Sequence, residues 1–194
     1  MINDIYSDTI GKYLKKPLLV GNYFTPIGFL LLIVYFFTKN RIIGLIALNI
    51  NLAILFSTEY IRWQQPQIYK CFIAYINNNV NLDVNFYYTS FIFVIVHYLP
   101  TILLLFNIRS FLRIPLNTQL YYSLISFLLF FSWSCISNDC VNMQQVYLKY
   151  DDSACKYKIK KTVSIKIMIM MFLGAFMMPV ITMFKKRKEL LKMN

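Results

Sequence analysis

Residues 86–106 read FYYTSFIFVIVHYLPTILLLF. This run from Phe86 to Phe106 holds no Asp, Glu, Lys or Arg, and near its midpoint stands His97, the one histidine in the chain. A helix of that length fits the ~30 Å hydrocarbon core of a bilayer. An ionisable group at that depth is costly and faces a bundle interior or a wet cavity, so the other apolar runs are read for faces that would meet His97.

The whole chain supports a membrane setting. Of its 194 residues 58% are hydrophobic and 14% charged, against about 25% charged in an average soluble protein. The 26 Ile, 17 Phe and 15 Tyr against 5 Ala and 5 Gly are the skew of an AT-rich coding sequence. A net charge of +12 would suggest nucleic acid in a soluble chain. Here most Lys and Arg abut apolar runs, where they pair with lipid phosphates, and no nucleic-acid recognition motif is present.

The expected fold is all-α: a polytopic membrane helix bundle of about five transmembrane helices over residues 17–184. It is preceded by an amphipathic interfacial helix over 1–16 and followed by a basic tail over 185–194. The spans fall at about 18–38, 42–61, 86–106, 119–139 and 163–184. In the first, Gly21, Thr25 and Gly28 share a face; in the second, Gly44, Ala47, Asn51 and Thr58 do. Small and polar residues so aligned let helices approach closely in lipid, so these faces point inward. Only Lys39, Asn40 and Arg41 separate the two spans, which forces a tight antiparallel hairpin.

Residues 63–85 are polar, with a short apolar piece, Ile68 to Ile76, that lies at the interface; Trp63 and Tyr69 suit the headgroup level. In the third span Ser90, His97 and Thr101 share a face, and Pro100 predicts a kink just past His97. Asn107 to Thr118 reads as a short basic turn. The fourth span carries the clearest polar stripe, Ser123, Ser126, Ser134, Ser137 and Asn138, with an amphipathic continuation past Asp139. The fifth is rich in Met, with Met170, Gly174 and Met178 on one face, and the run Lys185 to Lys188 ends it.

Five spans put the two short turns and the C-terminal tail on one side. Those segments hold nine of the 20 Lys and Arg directly beside spans, which by the positive-inside rule favours N-out, C-in. The cysteines, Cys71, Cys135, Cys140 and Cys155, have neither C-x-x-C nor zinc spacing. No metal or cofactor is expected. If the outer side is oxidising, Cys140 and Cys155 are the pair to bond.

In this threading Glu59 and Asp139 end their spans at the outer side, with His97 about 16 Å below that surface at 1.5 Å per residue. Asn51, Asn138, Thr101 and Ser134 line the space between. Two readings compete. In one, His97, Glu59, Asp139, Asn51 and Asn138 form a polar ligand-binding pocket for a small lipid-binding protein, lipid-modifying enzyme or transporter. In the other, His97 is an interhelical hydrogen-bond donor and Glu59 pairs with Arg62 one turn on. No catalytic set is visible, because no G-x-S-x-G elbow surrounds a serine and His97 has no charged neighbour in sequence. The expectation is a non-enzymatic structural or assembly component of a membrane, viral or organellar. Its partners are the lipid bilayer and other membrane proteins or itself, with no nucleic acid.

Overall fold

The computed structural model describes residues 24–67, 69–70, 73, 86–137 and 161–192. Among them every regular element is a helix: α1 Phe24–Thr38, α2 Arg41–Gln64, α3 Phe86–Leu105, α4 Ile108–Phe111, α5 Leu116–Ser137, α6 Lys161–Ala175 and α7 Met177–Leu190. The expected all-α class holds. The 1–16 interfacial helix, the piece after Asp139, and Cys71, Cys140 and Cys155 lie outside the described residues.

The bundle is organised around α2 rather than around the 86–106 run. Every other helix named above packs against it. Its start is fixed locally: Lys39 takes a left-handed φ of 52°, which ends α1, and the Asn40 side chain caps α2 by accepting from the amides of Ile42 and Ile43. Along α2, Gly28 of α1 lies on Asn51 and Tyr35 of α1 lies on Gly44. Rising numbers on one helix meet falling numbers on the other, so α1 and α2 form the antiparallel hairpin that the three-residue link requires.

The same logic seats α6. A Cβ on Gly174 would fall 2.6 Å from the Leu52 carbonyl carbon and 2.7 Å from the Ala53 Cα, so the two backbones touch where Gly174 has no side chain. Around that contact Ile50, Ala53, Ile54 and Ile61 of α2 bury against Ile167, Met171 and Ala175.

Three segments depart from the sequence reading. The 107–118 stretch is not only a turn: α4 drives Phe111, fully buried, into the notch at Gly44, with its ring 5.6 Å from that of Tyr35. Tyr69 is not at a headgroup-facing surface but buried in the core with Ile73, its hydroxyl 2.7 Å from Ser90 Oγ. The fifth span is not one helix: α6 and α7 meet at a 49° bend at Phe176. Pro179 explains it, since proline has no N–H for the Ala175 carbonyl and its ring crowds the preceding turn. α7 runs on as a helix through Lys185 to Lys188 and ends at Leu190. α3 stays helical through Pro100.

The interior is mainly apolar but also holds a set of polar side chains, and many large apolar side chains lie on the surface. Asn49, Asn51, Ser57, His97, Thr101, Gln119, Ser123, Ser126 and Thr182 are buried, while Leu30, Ile33, Phe91, Ile95, Leu99, Ile102, Leu124, Leu128, Ile169, Leu173 and Met183 are exposed. Large exposed apolar surface marks a protein–protein or membrane interaction site. Among the described residues, α2 is the one helix long and apolar enough by length and composition to cross a membrane, and the bent α6–α7 pair makes a second if counted as one span. Within α1 and α3, Ile27–Thr38 and Ser90–Leu105 are apolar but shorter.

Candidate functional site

The last turns of α2 and the middle of α3 bring Glu59 and His97 together. Glu59 Oε1 accepts from Arg62 Nη1 at 3.2 Å, and Oε2 accepts from Trp63 Nε1 at 2.7 Å. These partners sit three and four residues on, the spacing that makes helical neighbours. The Arg62 guanidinium lies 5.1 Å from the Trp63 ring centre, and the Tyr98 hydroxyl reaches Glu59 from α3. Glu59 is therefore shared by two groups of its own helix and one of the next.

His97 is buried and close enough to Glu59 to feel its charge. Its Nδ1 lies 2.7 Å from the Phe93 carbonyl, and since a carbonyl only accepts, Nδ1 carries the proton and donates. The imidazole centre is 4.1 Å from the Phe93 ring. Phe93 in turn meets Tyr69 edge-on at 5.8 Å. This corrects one expectation: the bond described for His97 runs along its own helix, not across to another. The Glu59–Arg62 pair has the one-turn spacing read from the sequence.

The remaining candidates do not join this cluster. Asn51 is about two turns away along α2, donates to the Ala47 carbonyl at 2.8 Å and lies under Gly28 of α1. Asp139 and Asn138 lie outside the described residues. Thr101 is buried, and its Oγ1 has no hydrogen-bond partner; the other such buried side-chain oxygen among the described residues is Asn49 Oδ1. Among the described residues no three His, Cys, Asp or Glu side chains gather where a metal would sit.

The strongest polar node was not singled out from the sequence. Gln119, fully buried, donates to the carbonyls of Phe111 at 3.2 Å and Ile114 at 2.9 Å, while its Oε1 accepts from Thr182 Oγ1 at 2.9 Å. One side chain thus ties α4, α5 and α7. One turn further along α5, Ser123 Oγ accepts from Asn49 Nδ2 at 3.2 Å. Gln119 precedes Ser123 by four residues and Ser126 by seven, so extending the serine stripe back by one turn finds it.

Compared with models of known protein families, with curated proteins and with solved structures, the chain matches none.

Proposed function

We propose that this chain is a multi-pass membrane protein of about five spans, N-out and C-in, that acts as a structural or assembly component by associating with itself or with other membrane proteins. The observation that carries the reading is the broad set of large apolar side chains on the surface, together with the polar side chains held within the bundle. In lipid, helices associate through close packing at small residues and through interhelical hydrogen bonds. The Gly174 and Gly28 contacts and the Asn49–Ser123 and Gln119–Thr182 bonds are of those two kinds. Most of the buried polar groups bond within the chain, which favours a packing role over a catalytic one.

A second reading keeps a polar pocket around His97, serving a small lipid-binding protein, a lipid-modifying enzyme or a transporter. What favours it is that the Glu59 carboxylate of α2 acts on both His97 and Tyr98 of α3.

The topology is tested by single cysteines at Asn117 and Asn78 in a chain whose four native cysteines are serine. An impermeant thiol reagent applied to sealed vesicles of known orientation should label Asn78→Cys and not Asn117→Cys. The reverse pattern overturns the orientation, and labelling of both, or release of the chain by alkaline carbonate, overturns the spanning arrangement.

A further inference from the structure

We propose that the end of the bundle formed by the α1–α2 turn, the α3–α5 connection and α7 is a binding surface for the headgroups of anionic phospholipids; the proposal rests on the membrane reading above. Three basic segments far apart in sequence meet there. Phe111, seated between Tyr35 and Gly44, places the segment that carries Arg109 and Arg113 at the same end of the bundle as the α1–α2 turn with Lys39 and Arg41. The Gln119–Thr182 bond fixes the start of the Lys185 to Lys188 run to the same end.

All of these basic side chains are exposed. Nine Lys and Arg stand in the three segments against one acid, Glu189, and that acid lies 3.7 Å from Lys185. The remaining charge therefore has no acid on these segments to neutralise it. At the far end of α2, by contrast, Arg62 is already paired with Glu59.

The neighbours of these cations select lipid over other polyanions. Each segment presents an exposed phenylalanine at its junction with the apolar belt: Phe37 before Lys39, Phe106 before Arg109 and Phe184 before Lys185, with relative exposures of 85%, 81% and 67%. The belt continues behind them through Ile33, Ile102 and Val180. A ring that enters the acyl region beside a cation at phosphate level is the arrangement of an interfacial anchor. A nucleic acid would satisfy the cations and leave the belt in water.

The test uses the full chain purified in mild detergent, with lipid adducts counted by native mass spectrometry over a titration of phosphatidylserine or phosphatidylcholine. Phosphatidylserine should bind and phosphatidylcholine should not. Each lost positive charge should weaken phosphatidylserine binding about fivefold, so R109Q/R113Q should weaken it roughly 25-fold and the quadruple K185Q/K186Q/R187Q/K188Q more. A loss from both sets shows one shared surface. On the native chain, which needs no variant to fold, raising salt should release the lipid, because screening shortens the reach of exposed charges.

Equal binding of the two lipids, binding indifferent to salt, or variants that bind as the native chain does would overturn the proposal. So would displacement of the lipid by inorganic phosphate at millimolar concentration, which marks a soluble-phosphate site, or displacement by a short oligonucleotide. Carbonate extraction of membranes separates the two ideas: a chain that stays in the pellet but ignores lipid charge sinks this proposal alone, and one that is released sinks the membrane reading too.

Discussion

Replacing Gly174 by alanine tests the packing logic of the bundle at its tightest point. The new Cβ would stand 2.6 Å from the Leu52 carbonyl carbon and 2.7 Å from the Ala53 Cα, where ordinary contact begins at 3.4 Å. Both obstacles are backbone of α2, so neither can swing away as a side chain would. α6 must retreat by about 0.8 Å, and a gap of that size forfeits a quarter to a half of the dispersion energy at the atoms it separates. Overpacking of a filled interior costs about 1–3 kcal/mol, and this site belongs at the upper limit. Alanine is favoured over glycine in a helix by about 1 kcal/mol, which leaves a net loss of about 2 kcal/mol. For a chain of this size that is a fall in Tm of roughly 4–8 °C. Gly28→Ala is the control, because the nearest atoms to its Cβ would be those of the Asn51 carboxamide, at 2.8–3.0 Å. That group can turn aside at the expense of its bond to the Ala47 carbonyl, so the change should stay within about 1 kcal/mol of native. Thermal unfolding of both variants in one detergent decides it. A Gly174→Ala protein as stable as the native chain, or less affected than Gly28→Ala, would refute the close approach of α6 and α2.

Gln119→Leu should cost about 2 kcal/mol, since the buried Ile114 carbonyl and Thr182 hydroxyl both lose their Gln119 partner while the Phe111 carbonyl keeps the Ile114 amide, whereas Thr182→Val should cost under about 1 kcal/mol because it removes one interhelical bond. Thermal unfolding should rank them in that order, and equal effects would show that Gln119 is no hub. His97→Gln and His97→Leu should both keep the fold to within about 1 kcal/mol, because the Phe93 carbonyl retains its backbone donor when the imidazole is gone. The two roles of His97 then separate in cells: a stable His97→Gln chain that restores the phenotype of a strain lacking the protein removes the pocket reading, and a stable one that fails to restore it removes the packing reading.

Much of the helix–helix contact was written in residue spacing. Gly28 with Asn51, Gly44 with its buried neighbours, and Ser123 and Ser126 on an inward stripe follow from a period of 3.6 combined with the rule that small and polar residues face other helices in lipid. What escaped did so for identifiable reasons. Gln119 stands at the polar boundary of an apolar run, where a carboxamide reads as facing headgroups, and only its burial against two turn carbonyls shows otherwise. Phe111 sits among Arg109 and Arg113 in a piece too short to display any period. Tyr69 reads as an aromatic anchor because tyrosines are enriched at headgroup depth, but its hydroxyl finds Ser90 instead. The break at Phe176 depends on Pro179, whose lack of an N–H changes the backbone without interrupting the apolar pattern.

The two ends of the bundle are held by different means. At the basic end, Phe111 fills a glycine notch and Gln119 joins three elements through bonds to backbone and to Thr182. Separating helices there would empty the notch and break the Gln119 bonds to the Ile114 carbonyl and the Thr182 hydroxyl. At the His97 end, two of the three partners of Glu59 belong to its own helix, and the His97 imidazole bonds to its own helix as well. The ties described there between elements are the reach of Tyr98 to Glu59 and the Tyr69–Ser90 bond. A rearrangement of α3 against α2 would keep the local bonds and lose only those ties together with the apolar contacts beside them. The polar ties of the His97 region therefore run mostly within single helices, whereas those around Phe111 and Gln119 run between elements.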